Sequence, residues 1–177
     1  WVYLFCLLTI YICWQLKHSS LGRTMLAIRE NELAAACLGV KVARMRILVN
    51  RRWWDDTSVY RIQDNFFVQC GDATEKKKLP DGVADSGPSE YTRAGGLPVV
   101  RMTRPDSFAS IAGFTADGWP AASDGKRSWL THCYAMVGVG RDLAPSVGSS
   151  AELYAVIGHA PRALDRNIAL VGRVIEG

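Results

Sequence analysis

The stretch from Val59 to Gln69 is rich in aromatic and β-branched residues and contains neither Gly nor Pro, which is the composition of extended strands. Short apolar runs follow at 108–112, 130–139, 153–158 and 168–174, separated by Gly, Pro and Asp. That punctuation predicts a mainly β unit, a barrel or a sandwich. Residues 73–98, with Lys76-Lys77-Lys78 and Gly95-Gly96, read as a long solvated loop.

The chain before Thr57 is of another kind. Trp1 to Leu16 carries no charge, and Lys17, His18 and Arg23 follow it. A membrane span needs about 20 apolar residues, and a secretory signal would place its basic region first. The run therefore reads as the end of a membrane helix, truncated at its start, that leaves on a basic, cytoplasmic side; the alternative is a buried helix. Thr24 to Leu38, with Met25, Ile28, Leu33 and Ala36 near helical spacing, predicts one or two short amphipathic helices ending at Gly39. Val42 to Arg52 predicts a third, with Val42, Met45 and Val49 on its apolar stripe and Arg44 off it.

Composition narrows the function classes. A net charge of +4, spread along the chain without a shared aromatic motif, argues against nucleic-acid binding. The five cysteines, at 6, 13, 37, 70 and 133, form no CxxC pair, so neither a disulfide framework nor a zinc site is expected, and no cofactor. His132 and Cys133 are adjacent, and neighbours in a strand point to opposite faces, so a structural role is expected for both rather than a nucleophile pair. His159 reads as a loop or strand-end residue.

Residues 59–72 bring together Arg61, Phe66, Phe67 and Gln69, read as one strand and the start of the next, with Arg61 and Gln69 sharing a strand parity. Taken alone, this is a strand with inward aromatics and a surface arginine. The segment also resembles the cyclophilin pattern F-x-R-x-x-x-x-F-x-x-Q-x-G-D, with Val59 in place of the leading aromatic and Arg61, Phe66, Gln69, Gly71 and Asp72 in register. Tyr134-Ala135-Met136-Val137-Gly138 resembles the family's groove strand, Ser150 to Tyr154 its G-S-Q-F-F element, and Leu164-Asp165 through Gly172-Arg173-Val174 its closing motif.

The resemblance, over roughly 50–177, implies a cyclophilin-like β-barrel, incomplete at both ends, with peptidyl-prolyl cis-trans isomerase activity on peptides and folding proteins. By position it implies Arg61 and Gln69 as catalytic residues and Phe66, Phe67, Met136 and Tyr154 as the proline pocket. That chemistry needs neither nucleophile nor metal. The barrier of about 18–20 kcal/mol comes from C–N resonance, and a fixed cation at the imide nitrogen, a donor to the neighbouring carbonyl and an apolar grip on the ring lower it. Ala163 stands where many members carry a tryptophan linked to cyclosporin binding, and Ile168 where they carry a histidine, so strong inhibition by that drug is not expected. A proline-binding module without turnover is the alternative. Trp129 to Cys133 resembles a divergent bacterial branch.

Leu21 to Val40, with its Gly-Arg, Ala-Ile-Arg-Glu-Asn-Glu and Ala-Ala-x-x-x-Gly elements, resembles the cytoplasmic loop of branched-chain amino-acid ABC importer permeases. It implies a coupling helix at 24–39 for an ATPase subunit, behind a membrane helix at 1–16. The chain is therefore expected to be a chimera, with a permease-like fragment at 1–41 and a truncated isomerase domain at 42–177. The two meet at Val42 to Arg46. A bacterial protein is expected, membrane-associated if 1–16 inserts and otherwise soluble.

Overall fold

The structure is a computed structural model that describes residues 42–176 apart from 75, 84–86, 97–99, 105, 116–117 and 144. The expected membrane run at 1–16 and the coupling helix at 24–39 lie outside the described residues. Among the described residues no helix is long and apolar enough to cross a membrane.

Among the described residues one α-helix, α1 (Val42–Asn50), precedes ten strands: β1 (Ser58–Gln63), β2 (Phe67–Gly71), β3 (Arg93–Ala94), β4 (Val100–Arg101), β5 (Ile111–Phe114), β6 (Pro120–Ser123), β7 (Arg127–Leu130), β8 (Met136–Val139), β9 (Leu153–Val156) and β10 (Leu170–Arg173). They form two five-stranded sheets, ordered β1-β2-β9-β8-β10 and β3-β7-β6-β5-β4. Every pairing is antiparallel. The described strands stay in two separate sheets and close no single barrel.

The expected 130–139 run is broken at Thr131–Ala135, where Ala135 adopts a positive φ of 67° and turns the chain into β8. The long 73–98 loop contains a 3-10 turn at Pro88–Glu90 and the short β3.

The helix at 42–50 forms, but its buried side is not the expected stripe. Leu48 is 0% exposed and Arg44 is buried, whereas Val49 is half exposed. Arg44 sits inside because its guanidinium meets the Glu90 carboxylate twice, Nη1 to Oε1 at 3.1 Å and Nη2 to Oε2 at 2.9 Å. Glu90 Oε1 also accepts the Gly87 backbone N–H at 3.1 Å. A buried charge is tolerated only when paired and hydrogen-bonded in this way, and the pair clamps α1 to the turn at Pro88–Glu90.

The core lies on one face of the first sheet. Phe67, Met136, Tyr154, Val156 and Leu170 point there and pack with Trp119 and Leu130 from the second sheet region. The opposite face carries the half-buried Val68, Cys70, Leu153, Ala155 and Val137 and the fully buried Val139. Alternation along antiparallel strands produces this two-sidedness.

Candidate functional site

The site begins with a hairpin. β1 and β2 are joined at Asp64–Phe66, where the Phe66 N–H donates to the Gln63 carbonyl at 3.1 Å. Asn65 sits at φ 54°, a left-handed conformation that asparagine tolerates. The tip is tied to the segment after β9: the His159 N–H donates to Asn65 Oδ1 at 3.1 Å and the Ile157 N–H to the Phe66 carbonyl at 3.1 Å. Gly158 packs so closely on the Asn65 backbone that no side chain would fit there.

Arg61 and Gln69 are thus on two strands, and the β1–β2 register places them directly opposite each other. The ladder slips between Val59 and Arg61, leaving Tyr60 as the extra residue of a bulge, and bulges commonly re-aim side chains beside functional sites. The row continues across the sheet: Gln69 faces Tyr154 on β9, Tyr154 faces Gly138 on β8, and Gly138 faces Leu170 on β10. Residues opposed across a ladder share a face, so Arg61, Gln69 and Tyr154 project to the same side.

The Arg61 guanidinium lies 5.0 Å from the Phe67 ring centroid, a cation–π distance, and its Nη2 donates to Gln63 Oε1 at 3.1 Å. Phe66 and Phe67 pack with centroids 4.6 Å apart, and Phe67 and Tyr154 with centroids 5.2 Å apart. Burial divides the expected pocket. Phe67, Met136 and Tyr154 are 7%, 1% and 3% exposed, whereas Phe66 and Ile168 are only partly buried against the same cluster. The first three therefore form a buried floor packed with Trp119 and Leu130, with Phe66 and Ile168 partly buried against it. Met136 lies in the core cluster, on the Gly138 side of the row rather than beside Arg61.

Gln69 has a partner that sequence reading missed. Its Nε2 donates to Glu152 Oε2 at 2.9 Å, and a Cβ on Gly140 would stand 2.8 Å from Glu152 Cβ and 3.1 Å from Gln69 Nε2. Burial and the Glu152 carboxylate raise the Tyr60 hydroxyl above its ordinary pKa. Burial likewise raises the Cys70 thiol, which argues against a reactive thiolate.

His132, expected to be structural, is 1% exposed, and its partners are legible only in the structure. Its Nδ1 lies 2.9 Å from Asp165 Oδ1 and its Nε2 2.7 Å from the Tyr154 hydroxyl. Burial raises the Asp165 pKa, but the His132 ring and backbone donors and Arg162 outweigh it and hold the carboxyl below its usual range. Among the described residues, no cluster of His, Cys, Asp and Glu could hold a metal ion.

The fold so assembled is that of the cyclophilins. The structure is similar to that of the cyclophilin AquaCyp293 from Hirschia baltica, with a TM-score of 0.62 and 24% sequence identity, over 81% of this chain and 57% of that one. The chain thus spans 57% of the length of that cyclophilin. Residues 1–50 match the family described as the branched-chain amino acid transport system permease component. That match runs through α1, the helix bound to the β unit by the Arg44–Glu90 pair. No curated protein matches the chain.

Proposed function

We propose that the β unit is a peptidyl-prolyl cis-trans isomerase acting on X-Pro bonds of peptides and folding proteins. The observation that carries this reading is the placement of Arg61 on a cyclophilin fold, opposite Gln69 and over the Phe67 ring. A guanidinium stays charged at any relevant pH and keeps a fixed direction when held against an aromatic face. In this reading the proline ring rests at Phe66 above the Phe67–Tyr154 floor, Arg61 draws the imide nitrogen's lone pair out of resonance, and Gln69 binds the neighbouring carbonyl. Weakening that resonance is what lowers the rotational barrier.

A proline-peptide isomerisation assay of the chain beside Arg61→Ala tests the reading; equal rates for the two proteins would reject it.

The second reading is a module that grips proline segments without turnover. The near-complete burial of Phe67, Met136 and Tyr154 favours it, because it leaves Phe66 as the open wall of the expected aromatic set. Peptide binding without rate acceleration would decide for it. For residues 1–50 the permease match supports membrane association and a chimeric origin. Contact with an ATPase subunit through 24–39 belongs to the same proposal, and co-purification with such a subunit tests it.

A further inference from the structure

Tyr154 does more than fill the floor of the site. Its ring leans along the row toward β8, into space that exists because position 138 is glycine; a methyl there would land on the phenol. The hydroxyl ends against His132 Nε2 at 2.7 Å, and the two rings lie nearly parallel, 10° apart in plane and 6.0 Å between centroids.

Behind His132 runs a buried chain of partners. Asp165 Oδ1 takes both the ring Nδ1, at 2.9 Å, and the His132 backbone N–H, at 2.8 Å. Asp165 Oδ2 accepts Arg162 Nε at 2.8 Å, and Arg162 Nη2 donates to Asp106 Oδ2 at 2.6 Å. An ionised carboxylate only accepts, so Nδ1 carries a proton, and in the neutral ring Nε2 is the nitrogen that accepts from the tyrosine hydroxyl. Every group between Tyr154 and Asp106 thereby has a defined orientation.

We propose that His132 is a positioning residue for the proline pocket: through the Tyr154 hydroxyl it sets the pose of the ring that backs Phe67, with Asp165, Arg162 and Asp106 holding the imidazole in place. This rests on the isomerase reading above. The bond is made to the floor of the pocket and not to the reacting atoms, so its loss weakens substrate and transition-state binding alike. A uniform loss of that kind appears in KM and not in kcat.

The test compares His132→Leu, Tyr154→Phe, the double variant, His132→Gln and the buried helix variant Leu48→Ala, each in the full chain. His132→Leu and Tyr154→Phe are expected to raise KM for an X-Pro peptide roughly three- to tenfold, the worth of one such hydrogen bond. Their kcat is expected to stay within about twofold. The double variant should be no worse than either single, since both remove the same bond, and His132→Gln, which keeps a donor and an acceptor, should recover part of the loss. Leu48→Ala should lower the thermal midpoint and leave KM alone. Additive effects in the double variant, or an equal KM rise in Leu48→Ala, would overturn the proposal.

Nitrogen-15 spectra of His132 separate this proposal from the isomerase reading. If the parent chain turns over no proline peptide, the isomerase reading falls. A change at Nε2 in Tyr154→Phe but not in Leu48→Ala would still support the coupling. An unchanged Nε2 would overturn it whether or not the chain is active.

Discussion

Arg61 lies directly across the β1–β2 hairpin from Gln69, with its guanidinium 5.0 Å from the centroid of the Phe67 ring. The residue is exposed, and exposed substitutions usually change stability by no more than about 0.5 kcal/mol. Arg61→Ala should therefore separate function from folding. Isomerisation is expected to fall by about 10²-fold, the scale for losing one fixed electrostatic donor, with the urea midpoint nearly unmoved. A large midpoint shift would mean that Arg61 is structural.

Gly138 is expected to tolerate no side chain, because its Cβ would collide with the Tyr154 phenol. Gly138→Ala should cost about 1–3 kcal/mol, as overpacking does in a tight core. Equilibrium unfolding in urea measures the cost. Restoration of stability in Gly138→Ala with Tyr154→Leu, which shortens the obstructing side chain, would confirm the cause.

The Arg44–Glu90 pair, with side chains 3% and 1% exposed, should behave as a buried ion pair. Arg44→Met alone leaves Glu90 charged and buried, and the expected loss is about 3–5 kcal/mol, read from urea unfolding. Adding Glu90→Leu to Arg44→Met should recover much of that loss, because two apolar groups then replace the pair without leaving a bare charge. Failure of the second substitution to recover any stability would reject this account.

Asp165 should shape the acid limb of stability. Its folded pKa is depressed relative to the unfolded value, since the donors from His132 and Arg162 outweigh burial. A depressed carboxyl contributes stability above its unfolded pKa of about 3.9, and that contribution is lost as pH falls through the lower folded value. Denaturant unfolding over a pH series should show this loss in the parent protein and a flatter acid limb in Asp165→Asn. Identical slopes would place the acid sensitivity elsewhere.

Much of the hairpin is legible in the chain, because strand composition, the absence of Gly and Pro and the Arg61-to-Asp72 pattern are all local. Its division at Asp64–Phe66 is not, since no Gly or Pro marks the turn and Asn65 supplies the left-handed residue instead. The helix at 42–50 is legible by period, but its buried side is not, because pairing with Glu90 makes Arg44 a buried residue. The structural role expected for His132 rests on the rule that strand neighbours diverge, yet residues 131–133 lie between β7 and β8 and form no strand. That rule concerns Cys133 and says nothing of Asp165, 33 positions away, or Tyr154, 22 away.

Sequence alone determined the mainly β character of residues 57–177, the cyclophilin pattern around Arg61 and Gln69, and the permease-like character of the first segment, because composition, period and motif spacing act over a few neighbouring residues. Tertiary structure decided that Arg61 and Gln69 oppose each other across two strands, that Phe67, Met136 and Tyr154 form a floor instead of an open wall, and that Tyr154 is tied through His132 to Asp165. Those outcomes depend on strand register, on the cover given by Trp119 and Leu130, and on the space left at Gly138. Each is a contact between segments distant in sequence, made only when the sheets pack.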